Sequence, residues 1–108
     1  MEEKKAPSVT LGGREYKLHF GIAELLLVEN AYEGMAISKI AQKGFGIKLT
    51  LTALWAGLTR FAPELNQPGK QDEVVMMVDT FVKEGGKLSD ITKTVVEALE
   101  DSGLLKNE

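Results

Sequence analysis

Between Leu51 and Leu58 the chain reads Leu-Thr-Ala-Leu-Trp-Ala-Gly-Leu, with its only Trp near the centre. Leu51, Leu54, Trp55 and Leu58 stand at i, i+3, i+4 and i+7, the spacing of one face of an α-helix. The surrounding window, Gly34 to Pro63, holds Lys39, Lys43, Lys48 and Arg60 and no Asp or Glu. Threonine hydroxyls apart, this helix carries no group suited to acid–base or nucleophilic work. Its apolar face must therefore be spent on a packed core or on a partner.

The rest of the chain has to supply that cover from 108 residues, enough for one domain. Residues 1–7 are charged, end at Pro7 and read as a disordered tail; residues 8–108 form the domain. Aromatics at 6% against 44% hydrophobic residues predict a modest, mostly aliphatic core. The net charge is −3, which argues against a nucleic-acid binder with a basic footprint. Charge is unevenly placed: residues 1–60 hold eight Lys and Arg against six acids, residues 61–108 five against ten. Halves of opposite sign can attract within a fold or between subunits of a homo-oligomer, although solvated helix faces explain them as well. With no Cys there is no disulfide or thiolate metal site. The N-terminal segment lacks an apolar h-region, and no apolar run approaches the roughly 18 residues of a membrane span. A cytoplasmic protein that does not engage a membrane is expected.

The pattern along the chain predicts an α+β, mainly α fold in which an N-terminal hairpin packs on about five helices. Gly12-Gly13 suits the positive φ of a two-residue turn between Ser8–Leu11 and Arg14–Phe20. Alternation then points Tyr16, Leu18 and Phe20 inward and Glu15, Lys17 and His19 outward. A helix follows from Ile22 to about Tyr32, where Leu25-Leu26-Leu27-Val28 predicts burial on two sides before Gly34 ends it. Further helices are expected over Ile37–Lys43, closed by Gly44-Phe45-Gly46, over Thr50–Thr59 and, after a loop from Phe61 to Lys70, over Gln71–Glu84. Val74, Met77, Val78 and Phe81 form the core stripe of that fourth helix, leaving Met76 with Val75 or Val82 to widen the face or reach a partner. Ser89 is the expected N-cap of a last helix, Asp90–Ser102.

Little in the chain suggests catalysis. His19 is the only His, with neither ligand partners nor an orienting carboxylate close in sequence, and reads as a surface residue. Gly44-Phe45-Gly46 lacks the third Gly and preceding strand of a dinucleotide loop, and Gly85-Gly86-Lys87-Leu88-Ser89 lacks the spacing of a phosphate loop. Asp72-Glu73 and Glu100-Asp101 are adjacent on helices and point apart. The basic segment Ile37–Leu58 fails as a helix-turn-helix, since its second helix offers only Thr52 between Leu51 and Leu58 to read a base edge. No catalytic residue, metal ligand or cofactor is expected.

The order of motifs carries a resemblance. Tyr16-Lys17-Leu18-His19-Phe20, a Leu-rich helix with Glu29, Leu54-Trp55-Ala56-Gly57-Leu58, Pro63-Glu64-Leu65, Glu84-Gly85-Gly86 and Ala98-Leu99 with Ser102-Gly103 follow one another. From about Gly13 to Gly103 the chain resembles the small tail assembly chaperones of long-tailed phages, including the branch found in prophages and gene transfer agents. Leu-Trp-Ala-Gly-Leu and Pro-Glu-Leu are its sharpest parts. The chain departs from the pattern at Val28-Glu29-Asn30-Ala31-Tyr32, which replaces an acidic cluster, and at Gln67-Pro68-Gly69.

The resemblance implies a non-enzymatic protein of the bacterial host cytoplasm. Such proteins bind the tape measure protein before the tail tube polymerises, with the tail tube protein a possible second partner, and leave before the virion is finished. A tape measure is a long helical chain whose apolar stripes aggregate when bare, so its chaperone needs an apolar helical face and a soluble back. The contact is expected around Met76 on the fourth helix, or along the edge of the Trp helix at Leu54, Trp55 and Leu58. A small DNA-binding regulator, a small enzyme or its subunit, and a structural tail component retained in the virion are the competing readings.

Overall fold

The computed structural model describes residues 7–44 and 46–103. It is α+β and mainly α: a two-stranded antiparallel hairpin followed by five helices. The strands are β1 (Ser8–Leu11) and β2 (Arg14–Lys17), paired Val9 to Tyr16 and Leu11 to Arg14. Gly12 (φ 59°) and Gly13 (φ 80°) both lie in the left-handed region, as a tight hairpin turn with the right-handed strand twist requires. Pairing stops at Lys17, three residues before the expected end, but the alternation continues: Leu18 and Phe20 are buried and Tyr16 is half-buried. The Leu18 amide donates to the Pro7 carbonyl at 2.8 Å, so Pro7 belongs to the fold and not to the tail. Residues 1–6 and 104–108 and Phe45 lie outside the described residues.

The helices are α1 (Ile22–Ala31), α2 (Ile37–Gln42), α3 (Ile47–Leu58), α4 (Lys70–Lys83) and α5 (Leu88–Ser102). Helix α3 packs against α1, α4, α5 and β2 and is the axis of the molecule. From Thr52 to Thr59 every residue is buried, so the Trp helix is covered on all sides and not along one stripe. The burial of threonines there is affordable because each finds a partner. Thr50 and Thr92 share a hydroxyl contact of 3.1 Å, Gln71 donates to Thr52 at 3.4 Å, and Thr59 donates to the Ala56 carbonyl at 2.7 Å.

Several boundaries differ from the sequence expectation. Helix α3 begins three residues early, at Ile47, after Gly46 as N-cap. Helix α5 begins at Leu88 with Lys87 as N-cap, which puts Ser89 inside the first turn and without a capping bond. The connection after α3 contains a single 3-10 turn, Pro63–Leu65. Helix α1 is not buried on two sides: Leu25 and Val28 are buried, Leu27 is half-buried, and Ile22 and Leu26 face solvent. Only α3 and the short α2 contact α1 strongly, so one side of it has nothing to pack on. Among the described residues no helix is long and apolar enough to cross a membrane.

Candidate partner-binding surface

The motif residues proposed for partner contact on α3 are structural. Leu54 and Leu58 are fully buried and Trp55 is 9% exposed. The Trp55 indole N–H donates to the Leu65 carbonyl at 2.8 Å, tying α3 to the 3-10 turn that follows it. The Leu-Trp-Ala-Gly-Leu and Pro-Glu-Leu motifs are thus two halves of one contact. The other motifs are spent in the same way. The His19 amide donates to the Gly57 carbonyl at 3.0 Å, and Phe20 lies so close to Gly57 that a Cβ there would sit 2.8 Å from Phe20 Cζ. Glu29 accepts from the Ile37 amide at 2.7 Å and so fastens the start of α2 to α1. Gly86 lies against the Phe81 ring. The expectation that Leu54, Trp55 and Leu58 meet a partner along a free edge of α3 is therefore corrected, because these side chains hold the core.

Met76 is placed as expected, on the surface. It is 64% exposed on α4, with Val75 and Val82 partly exposed, while Val74 and Val78 are buried and Met77 and Phe81 are packed against the core. Tyr16 Oη donates to Met77 Sδ at 3.8 Å, which fixes that side of α4 to the hairpin. A Met76→Asp substitution should change the stability of the folded protein by less than about 1 kcal/mol, as at other surface positions. Urea unfolding followed by circular dichroism measures it; outright unfolding would place Met76 in the core.

A second apolar surface lies at α1. Leu26, with Ala23, Leu27, Thr59, Arg60 and Asn66, lines a groove of ≈ 490 Å³ between α1 and the α3 exit. Ile22 and Phe61 are also exposed. Beside this groove stands a cluster that the sequence reading missed. Glu24, buried within the first turn of α1, accepts from the Gly21 amide at 2.8 Å. Its carboxylate lies 3.7 Å from Arg60 Nε and 3.8 Å from His19 Nε2, and Arg60 Nη2 is 3.3 Å from His19 Nε2. Spacing in Gly21-x-x-Glu24 is that of a capping box, a signal that was available in the sequence. The Arg60 contact, 36 residues away, was not. With His19 edge-on to Phe61, ring centroids 6.3 Å apart, the cluster closes the junction of hairpin, α1 and α3. Glu24 thereby holds the start of α1, the hairpin exit and the α3 exit together, the arrangement of a clamp. Among the described residues no group of His, Asp or Glu is arranged to hold a metal ion.

Comparison with protein-family models, with curated proteins and with solved structures finds no match.

Proposed function

We propose that this protein is a non-enzymatic tail assembly chaperone of a phage or prophage, acting in the bacterial cytoplasm on the tape measure protein. The observation that supports this reading is the apolar surface left on the helices: Ile22 and Leu26 on α1, Ile47 at the start of α3, and Val75, Met76 and Val82 on α4. A core that buries Leu, Val and Ile this completely elsewhere gains nothing by leaving large apolar side chains in water. Apolar helical faces of this kind fit side-by-side packing against an amphipathic helix, the form in which a tape measure exposes its stripes. The order of motifs from Tyr16 to Gly103 points the same way.

Co-expression tests it. The tape measure encoded beside this protein should turn from aggregated to soluble and co-purify with it. A wild-type protein that leaves its tape measure insoluble would sink the assignment. Retardation of DNA at about 150 mM salt, where nonspecific contacts are weakened, would instead favour a regulator, and recovery of the protein in purified particles a structural tail component.

A further inference from the structure

The outward face of α4 has a seven-residue repeat. Asp72 and Asp79, Val75 and Val82, and Met76 and Lys83 are each seven residues apart, so each pair occupies the same angular position two turns on. Two turns span about 10.5 Å. The acids run along the middle of the exposed face, with the two valines on one flank and Met76 on the other. Val75 and Val82 continue the buried Val74 and Val78 surface outward, forming a shoulder at which the core stops.

Charge on this face is lopsided. Asp79 pairs with Lys83 at 2.9 Å and Glu73 with Lys70 at 3.0 Å, whereas Asp72 has no partner among the described residues. Ile47 on α3 stands next to Lys48, and the α1 surface is flanked by the neutral pair of Arg60 and Glu24. Of the exposed apolar surfaces, that on α4 combines a heptad spacing with a carboxylate, Asp72, that no cation of the helix neutralises.

A seven-residue repeat is what one helix presents to another lying along it. We infer that α4 docks a helix of the partner that bears an apolar seam and, beside it, Lys or Arg seven residues apart, set to meet Asp72 and Asp79. The identity of that partner rests on the chaperone reading; the chemistry of the docking helix follows from α4. Complementary charge of this kind fixes register and raises the encounter rate, and it weakens as salt is added.

The probe is a synthetic helical peptide of about six turns, with Ile once per heptad and Lys on the adjoining position of each heptad, titrated against the whole protein. A counterpart carries Glu in place of Lys. The Lys peptide should bind the wild type, lose about tenfold in affinity for Asp72→Asn/Asp79→Asn, and weaken with salt, while the Glu peptide should not bind. Met76→Ser, which removes apolar surface without adding charge, should weaken binding as well, and the double Asn variant, which keeps side-chain size, guards against a variant that fails to fold. Equal binding of the two peptides, no binding of the Lys peptide, or an unchanged affinity of the double Asn variant would overturn the assignment. The two readings separate cleanly. A tape measure that binds the wild type and both variants alike removes the α4 site and leaves the chaperone. A Lys peptide that behaves as expected beside a tape measure that does not bind removes the chaperone and leaves the site.

Discussion

Trp55→Ala is expected to lower stability by roughly 3–5 kcal/mol, the range for truncating a large buried aromatic. Two losses add. The side chain lies in the core between α3 and the following turn, so its removal leaves a cavity that helices packed on all sides cannot close. The Leu65 carbonyl also loses the indole N–H that satisfies it at 2.8 Å. A domain of this size has roughly 5–15 kcal/mol in total, so the variant should melt far below the wild type or fail to fold. Trp55→Phe separates the terms: it keeps most of the buried ring, loses the hydrogen bond, and should cost nearer 1–3 kcal/mol. Urea unfolding of the three proteins gives the values. Wild-type fluorescence should be blue-shifted and poorly quenched by iodide. A Trp55→Ala variant as stable as the wild type would mean that α3 is not the axis of the core.

The hairpin, the helices and the inward residues Tyr16, Leu18 and Phe20 were legible in the sequence because each is set by local chemistry. Gly12-Gly13 supplies the turn, and alternation from Tyr16 to Phe20 survives even though hydrogen-bonded pairing ends at Lys17. What periodicity could not give is how many sides of a helix are covered. Leu51, Leu54, Trp55 and Leu58 form a stripe, yet from Thr52 onward α3 is buried all round because its other face carries Ala53, Ala56, Gly57 and threonines bonded to neighbouring helices, small enough for those neighbours to close on. Leu25-Leu26-Leu27-Val28 misleads in the opposite sense. The run is apolar all round, but α1 has neighbours on one side only, and Leu26 is left in water. Helix burial is a property of the neighbours as much as of the helix.

The site divides in the same way. Met76 could be read as exposed because Val74, Met77, Val78 and Phe81 already claim the inner face of α4. The Leu-Trp-Ala-Gly-Leu motif could not be sorted into scaffold or contact until its Trp found the Leu65 carbonyl. The same ambiguity hid the cluster at the α1 start: Glu24 and His19 are near neighbours in sequence, but the cation that joins them comes from the exit of α3.

Gly57 carries the second large effect. It lies inside α3, where Ala is favoured over Gly by about 1 kcal/mol in an unhindered helix. Gly57→Ala should nevertheless destabilise, by about 1–3 kcal/mol net, because the site is overpacked by any side chain. A Cβ would stand 2.8 Å from Phe20 Cζ, 3.1 Å from Phe20 Cε2 and 3.2 Å from Leu18 Cδ2. None of these can swing into solvent, since Leu18 and Phe20 are both buried and the His19 amide is held by the Gly57 carbonyl itself. The hairpin would have to lift from α3. The origin of the cost is testable by a double-mutant cycle with Phe20→Leu, which withdraws the ring atoms from the contact. In that background Gly57→Ala should cost little or become favourable as the helix preference reasserts itself, giving a coupling of roughly 1–3 kcal/mol between the two sites. Additive losses would locate the effect elsewhere in α3, and a Gly57→Ala protein more stable than wild type would mean that Phe20 does not rest on this helix.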